Sequence, residues 1–245
     1  MRPVSRGAAP QPHDFDPYDQ AKPHLVSRMG LYCSYCERRV VTQLAVEHIQ
    51  PKKGLYGRLD LIGRWDNYLL ACVNCNSAKG DKQVVLADVL LPDRDNTFAV
   101  FVYLQDGTIQ PAAALTPALT VKANRTLALT GLDKSINEAL DENGKLVALD
   151  RVAQRMEVWA VAEETRADVD AHPDNGAVRR CAVNAAKGYG YFSIWMTVFS
   201  ADPDMRNRLI DAFEGTRNSG CFDALTTLPI SPAPNPDNLA DGGKI

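Results

Sequence analysis

Four of the six cysteines stand as two Cys-x-x-Cys pairs, Cys33/Cys36 and Cys72/Cys75, with 35 residues between the pairs. Each pair makes a tight knuckle whose two sulfurs point at one place. Four thiolates from two knuckles complete a closed tetrahedral shell, the arrangement of a structural Zn²⁺. A closed shell has no open position for a substrate, so this zinc is a staple and the chemistry must lie elsewhere. The absence of an apolar leader after Arg2 and Arg6 also favours metal over disulfides.

Between and just after the pairs lie the residues that could react. Glu47 and His48 are adjacent, Asn67 follows Trp65-Asp66, and Asn76 directly follows the last cysteine with Lys79 three residues on. A carboxylate and an amide oxygen are hard donors suited to Mg²⁺ or Mn²⁺, and a neighbouring imidazole takes a proton from water near pH 7. A lone histidine is more often a surface or core residue than a base. Its place beside a carboxylate, inside the cysteine bracket, reverses that expectation.

The elements that must position these groups are short. Val40–Val41 and Leu44–Val46, separated by Thr42-Gln43, read as a hairpin ending at Glu47-His48. Phe98 to Leu104 runs into Asp106-Gly107 and Thr108-Ile109, the signal for a second hairpin with a tight turn. After about residue 120 the period becomes helical. Leu149, Val152, Ala153, Met156, Trp159 and Ala160 recur at spacings of three and four, which predicts one apolar stripe. Asp202-Pro203 opens a helix that turns Met205, Leu209 and Phe213 inward and stops at Gly215. Tyr189 to Phe199 reads as a third, buried helix.

The runs Tyr32-Cys33-Ser34-Tyr35-Cys36-Glu37, Val46-Glu47-His48-Ile49-x-Pro51-Lys52 and Trp65-Asp66-Asn67-Tyr68-Leu69-Leu70-Ala71-Cys72-x-x-Cys75-Asn76-Ser77-x-Lys79-Gly80 resemble the HNH endonuclease family. The resemblance covers roughly residues 28–82. It implies a ββα-metal fold in which His48 is the general base, Glu47 and Asn76 hold the catalytic Mg²⁺ or Mn²⁺, and Asn67 braces the loop that carries the base. Cys33, Cys36, Cys72 and Cys75 hold the structural zinc. Glu47 departs from the Asp or His that many members have there, and its extra methylene bears on where the metal sits. More narrowly, Leu90-Leu91-Pro92-Asp93 and a helical C-terminal half with Gly215-Thr216 and Cys221-Phe222-Asp223 are similar to HNH subunits of Septu and retron-associated anti-phage systems. That likeness implies an ABC- or SMC-type ATPase partner in a defence complex.

The fold class expected is therefore α+β, a zinc-stapled ββα-metal nuclease module followed by a mostly helical domain. The expected divisions are a flexible arm over 1–27, the nuclease module with its second hairpin over 28–118, a helical docking or regulatory domain over 119–228, and a flexible tail over 229–245. Proline-rich composition with few apolar residues motivates both flexible ends.

With 45% hydrophobic and 23% charged residues in 245, the composition is that of a globular protein and excludes disorder throughout. Val84–Leu91, the longest apolar stretch, is interrupted by Asp88 and is far shorter than the roughly 20 residues of a membrane helix. A cytoplasmic protein with no membrane contact is expected. Residues 28–82 carry nine Lys/Arg against five Asp/Glu, a net +4 on a chain whose total is −3. A basic segment on an acidic chain suggests an anionic partner met locally, nucleic acid with DNA in preference to RNA, while the acidic helical half suits a protein partner or self-association. Lys52, Lys53, Arg58 and Arg64 flank the motif as candidate phosphate contacts. Cys181 and Cys221 read as buried free thiols, Trp159 and Trp195 as core, and His13, His24 and His172 as solvated. The alternative to a nuclease is a zinc-stapled module that binds nucleic acid or protein without cutting it. His48 discriminates between the two, since binding alone needs no base beside a carboxylate.

Overall fold

The computed structural model describes residues 1–134 and 151–245. Its described part is α+β, with two two-stranded antiparallel sheets among short and medium helices. In chain order these are α1 (Lys22–Met29), β1 (Ala45–His48), β2 (Tyr68–Ala71), α2 (Val73–Lys79), α3 (Thr97–Val100), β3 (Phe101–Tyr103), β4 (Ile109–Pro111), α4 (Pro117–Thr130), α5 (Arg151–Ala171), α6 (Gly176–Tyr189), α7 (Phe192–Val198) and α8 (Pro203–Ala212). No helix among the described residues is long and apolar enough to cross a membrane.

β1 pairs with β2 in the register Ala45↔Ala71 to His48↔Tyr68, and α2 follows at once to complete a ββα unit. The hairpin expected between 40–41 and 44–46 does not form. Val41 is exposed, and the true partner of β1 lies twenty residues on, in an all-apolar run buried on both faces. Every side chain of β2 is buried because the ββα unit is wrapped by the rest of the chain. The second hairpin forms as expected, β3 against β4 across Asp106-Gly107, although Thr97–Val100 is a helical turn and not strand.

The helical half follows its caps closely. Thr116 caps α4 through Leu119 N, Asn175 caps α6 through Ala177 N and Val178 N, and Asp202 caps α8 through Met205 N, with proline at the first helical position of α4 and α8. Met205, Leu209 and Phe213 face the core as expected. The stripe on α5 is rotated from the expected one. Val152, Ala153, Val158, Ala162 and Val169 are buried together with Arg155, whereas Met156 and Ala160 are exposed, Trp159 is half-buried and Leu149 lies outside the described residues. Arg155 takes an inward position because its Nε donates to the Gly107 carbonyl of the second hairpin. The stretch 189–199 is broken at Gly190, after which α7 is buried along nearly its whole length. Trp195 is core, Cys221 is buried, Cys181 is exposed on α6 rather than buried, and His13, His24 and His172 are exposed as expected.

Neither end of the chain is a free arm or tail. Met1, Arg2, Val4 and Arg6 are buried, and residues of both ends join the single core cluster that includes the ββα unit and the helices. Arg2 and Arg6 both anchor the N-terminal end, Arg2 through Glu214 O, Thr216 Oγ1 and Met29 O; Arg6 reaches the ββα unit. Its guanidinium donates to the Tyr68 and Asp66 carbonyls and pairs with Asp93 Oδ2 at 2.6 Å, while Arg94 closes on the same carboxylate at 2.9 Å. The C-terminal segment clasps this knot. Asp237 accepts from Arg6 N and Gly7 N at 3.1 Å each, Arg94 donates to Ala240 O, and Lys244 pairs with Asp95 at 3.0 Å. The proline-rich composition misled because these ends are held by buried ion pairs and backbone hydrogen bonds, which hydropathy does not register.

The cysteine-knuckle side of the ββα unit is docked onto the helices by one acid. Glu37, with φ +64° and almost no exposure, accepts from Tyr103 Oη at 3.0 Å, from Ser193 N at 2.7 Å and from Ser193 Oγ at 2.6 Å. Gly190 permits the approach. It has φ +79°, and a Cβ there would sit 2.6 Å from Glu37 O and 2.7 Å from Arg39 N. The expected boundary at 118/119 is thus crossed by a satisfied buried carboxylate and by a continuous core.

Removing one member of the Arg6–Asp93–Arg94 knot leaves buried charge unpaired. Burial would raise the Asp93 carboxyl, but Arg94 and Arg6 outweigh it and hold it below its ordinary value. Its contribution to stability is therefore present above the unfolded pKa of about 3.9 and lost as pH falls through the folded value. Asp93→Ala is expected to cost about 3–5 kcal/mol in urea unfolding at neutral pH and to flatten the acid limb of stability against pH. A loss below about 1 kcal/mol would contradict the anchoring role.

Candidate functional site

The four cysteines converge. Cys33, Cys36, Cys72 and Cys75 are buried, and their Sγ atoms all lie within 4.8 Å of one another, with Cys36 and Cys72 at 3.7 Å. A tetrahedral ion with Zn–S bonds near 2.3 Å requires S–S edges of about 3.8 Å, so the cluster fits a structural metal. Four thiolates around one divalent ion leave net negative charge, and Arg151 at the start of α5 answers it by donating from Nη1 to Cys75 Sγ at 3.1 Å. The same guanidinium donates to Thr130 O and to Gly131 O, so the cluster, the end of α4 and the start of α5 share one clamp.

Because β2 runs directly into Cys72, and Cys75 lies in α2, the cluster fixes where α2 sits against β1. The result is a cleft of about 440 Å³ lined by Glu47, His48, Lys52, Asn76, Lys79 and Tyr18 among others. Glu47, His48 and Asn76 are thereby brought to one place. Asn67 is not in the cleft wall but beneath it. Its Oδ1 accepts from Gln50 N at 2.8 Å and its Nδ2 donates to Gln50 O at 3.0 Å, which pins the chain just after β1 to the chain just before β2. Of the basic residues flanking the motif, Lys52 and Lys53 line the cleft. Arg58 is paired with Asp60 on the exposed loop and Arg64 with Asp14 and Asp66.

Adjacent residues of a strand point to opposite faces, and β1 uses this to give its two reactive side chains different surroundings. Glu47 turns to α2, where its Oε1 lies 2.8 Å from Lys79 Nζ with both side chains almost wholly buried. Burial pushes the Glu47 carboxyl up, and the opposing pull of Lys79 does not cancel it. A buried carboxylate needs a cation. Together with the amide oxygen of Asn76 it is a hard-donor pair that fits Mg²⁺ or Mn²⁺.

His48 turns to an aromatic box. Its ring lies 4.8 Å from Tyr18 and 5.2 Å from Tyr68, both edge-on, and its Nε2 is 3.0 Å from Ile62 O. A carbonyl only accepts, so Nε2 carries the proton and Nδ1 keeps the lone pair. Tyr68 Oη donates to the same carbonyl. Burial lowers the His48 pKa from its ordinary value; the Ile62 carbonyl opposes this, and Lys52 and Lys79 add to it. The neutral, basic form is favoured.

Lys79 and Tyr18 have places here that residue patterns did not give them. Lys79 is legible afterwards as the residue one helical turn after Cys75 and Asn76, on a helix whose cysteine-bearing side is buried. Tyr18 had no signal, being one aromatic in a proline-rich run.

Residues 33–82 match the family model described as HNH endonuclease. A curated protein of Vibrio cholerae serotype O1 biovar El Tor, named for an HNH endonuclease of retron Vc95, is 26% identical over 131 residues. That alignment takes in 50% of this chain and 62% of the relative, so the chain spans about three fifths of the relative's length. With the paired strands, the following helix and the cysteine cluster all falling inside the matched interval, residues 33–82 are a domain of the HNH endonuclease family.

Proposed function

We propose that the protein is a divalent-metal-dependent endonuclease that hydrolyses phosphodiester bonds, with DNA as substrate, and that it serves as the nuclease subunit of an anti-phage defence complex. The observation that carries the catalytic part is the state of His48. Its Nε2 is committed to Ile62 O, its Nδ1 is left as an acceptor, and it lines the same cleft as a buried carboxylate. A module that only binds has no use for such an arrangement.

In this reading His48 Nδ1 accepts the proton of the attacking water, and the Ile62 carbonyl steadies the imidazolium that results. Glu47 and Asn76 would hold the Mg²⁺ or Mn²⁺, which when bound supplies charge stabilisation at the phosphorus and the leaving oxygen. Asn67 keeps the residue after β1 in place and so keeps His48 at a fixed depth. Lys79 holds the Glu47 carboxylate in position, and Lys52 and Lys53 offer positive charge to the phosphate backbone. Such contacts carry no base readout, which matches cleavage set by access more than by sequence. The cysteine cluster would hold Zn²⁺ and does no chemistry.

The defence role rests on the likeness to a retron HNH endonuclease. The outer face of α5 displays Glu157, Glu163, Glu164, Asp168 and Asp170, all exposed. A surface of this sign repels a phosphate backbone and suits a protein, an ABC- or SMC-type ATPase subunit or a second copy of the chain.

Three expectations follow from these roles. One tightly held zinc per chain should survive purification, and Cys72→Ser should lose it along with cooperative thermal unfolding, since structural zinc contributes on the order of 10 kcal/mol to folding. Metal analysis of a folded wild-type sample without zinc would refute this. Cleavage should require added Mg²⁺ or Mn²⁺, and Glu47→Ala should abolish it while zinc content stays at the wild-type level; cleavage persisting in EDTA would remove Glu47 from the reaction. His48→Ala should fold, bind nucleic acid and cut about 10²–10⁴-fold more slowly. Because the His48 pKa is lowered, the rate should hold as pH falls past 6.5 and decline only below it, whereas an ordinary imidazole would already be half protonated there. A His48→Ala variant with the wild-type rate would favour the non-cleaving module instead.

A further inference from the structure

The N-terminal segment lies outside the matched domain, yet it reaches the cleft. From the Arg6 anchor it runs over the end of the β1–β2 loop. Phe15 N donates to Gly63 O at 2.9 Å, and the Phe15 ring packs on Trp65 and Tyr68 at 5.9 and 6.3 Å. One turn of 3-10 helix then begins at Tyr18, which forms one wall of the cleft. The Tyr18 ring meets two groups there. His48 lies 4.8 Å away at an interplanar angle of 72°, and Lys52 Nζ is 3.7 Å from the ring centroid.

We infer that Tyr18 is a positioning residue of the nuclease site: one face of its ring holds the Lys52 ammonium at the cleft for a substrate phosphate, and its contact with His48 keeps the imidazole turned for proton transfer. This rests on the nuclease reading and adds to it a residue that the HNH domain does not contain.

The physical case has three parts. A lysine is a point charge on a flexible four-carbon stem, and a loop lysine samples many positions unless something collects it. An aromatic face within about 6 Å of the ammonium does so by cation–π attraction, without neutralising the charge as a carboxylate would. Lys52 thus stays available to an anion while its position is restricted. For His48, the Ile62 carbonyl fixes one ring nitrogen but leaves rotation about the hydrogen bond, and Tyr18 and Tyr68 together close that freedom from two sides. The Tyr18 contacts are made by the ring, so the hydroxyl is not required.

The segment is also built to hold Tyr18 still. Trp65 Nε1 donates to Gly7 O at 2.8 Å, and the Arg28 guanidinium donates to the Arg6 carbonyl at 2.6 Å and sits over the Trp65 ring at 5.2 Å. Those contacts fasten the segment to the β1–β2 loop on the side that supplies the His48 acceptor. The chain therefore delivers Tyr18 from a rigid support.

The test uses the full chain and three variants, Tyr18→Ala, Tyr18→Phe and Lys52→Ala, each checked for zinc content and thermal midpoint. In the wild type the Lys52 ε-methylene protons should be shifted upfield by the Tyr18 ring current; the shift should persist in Tyr18→Phe and vanish in Tyr18→Ala. Under steady-state cleavage of duplex DNA with Mg²⁺, Tyr18→Ala should raise KM about 3–10-fold through Lys52 and lower kcat about 10–100-fold through His48. Lys52→Ala should reproduce only the KM effect. Tyr18→Phe should restore both constants to within about twofold of wild type, about 0.4 kcal/mol by the usual conversion. Fluorescence anisotropy with a labelled duplex in a His48→Ala background gives the binding part without turnover, and Tyr18→Ala should weaken it by the same factor as KM. A cleaving wild type with Tyr18→Ala unchanged in kcat and KM, an unshifted Lys52 methylene, or failure of Tyr18→Phe to rescue would overturn the inference and leave the nuclease reading intact. A wild type inert on every nucleic acid with Mg²⁺ and Mn²⁺ would overturn both.

Discussion

The convergence of four buried thiols is the constraint from which the rest of the architecture follows. Cys33 and Cys36 belong to a knuckle and Cys72 and Cys75 to the start of a helix, and bringing their sulfurs within 4.8 Å leaves β2 and α2 little choice of position. β2 ends one residue before Cys72, so its pairing with β1 is set in register. α2 then presents Asn76 and Lys79 toward Glu47. The cluster reaches outward as well, since Arg151 neutralises part of its charge and thereby seats α5. Glu37 follows the knuckle directly and is buried with three donors from Tyr103 and Ser193. One metal-binding arrangement thus organises both the reactive cleft and the attachment of the helical half.

How much of this was legible depended on whether a residue's role is local in sequence. The convergence of the two cysteine pairs and the nearness of Glu47, His48 and Asn76 could be read because short, fixed spacings along the chain bring them together. The partner of β1 could not. Tyr68–Ala71 is a four-residue apolar run buried on every side, which has no period-2 alternation to mark it as a strand, while Val40–Val41 offered a nearer β-branched match. On α5 the stripe holds at Val152 and Ala153 but departs after them, because Arg155 is buried against the Gly107 carbonyl and a hydropathy pattern assigns arginine to solvent.

The ends of the chain show the same limit more sharply. Residues 1–7 and 229–245 carry prolines, glycines and charges, the composition of a flexible segment. They are ordered by polar contacts together with a few buried apolar residues, Met1, Val4, Ala233 and Ile245 among them. Arg6 answers two carbonyls and a carboxylate, Asp237 answers two backbone N–H groups, and Asn96 Nδ2 answers the Cys221 and Ile230 carbonyls at 2.8 and 2.9 Å. Each of these groups would be costly to bury alone and is inexpensive once paired. Composition averages over partners that lie from 60 to 231 residues apart, so it could not have revealed them.

The size of the matched domain explains why so much of the chain is committed to supporting it. Fifty residues with two four-residue strands and a helix of seven bury too little apolar surface to stand alone, and even a metal staple leaves most of their faces to be covered. Here α1 packs on β2, α4 packs on α2, and the N-terminal segment lies against Trp65 and Tyr68 at the end of the β1–β2 loop. The covering elements are therefore in contact with the reactive groups as a matter of geometry. The segment that lies against His48 places the Tyr18 ring there, in contact with both the imidazole and the Lys52 ammonium. The HNH domain brings Glu47, His48 and Asn76 to the cleft, and part of the wall they face is built by Tyr18, from outside that domain.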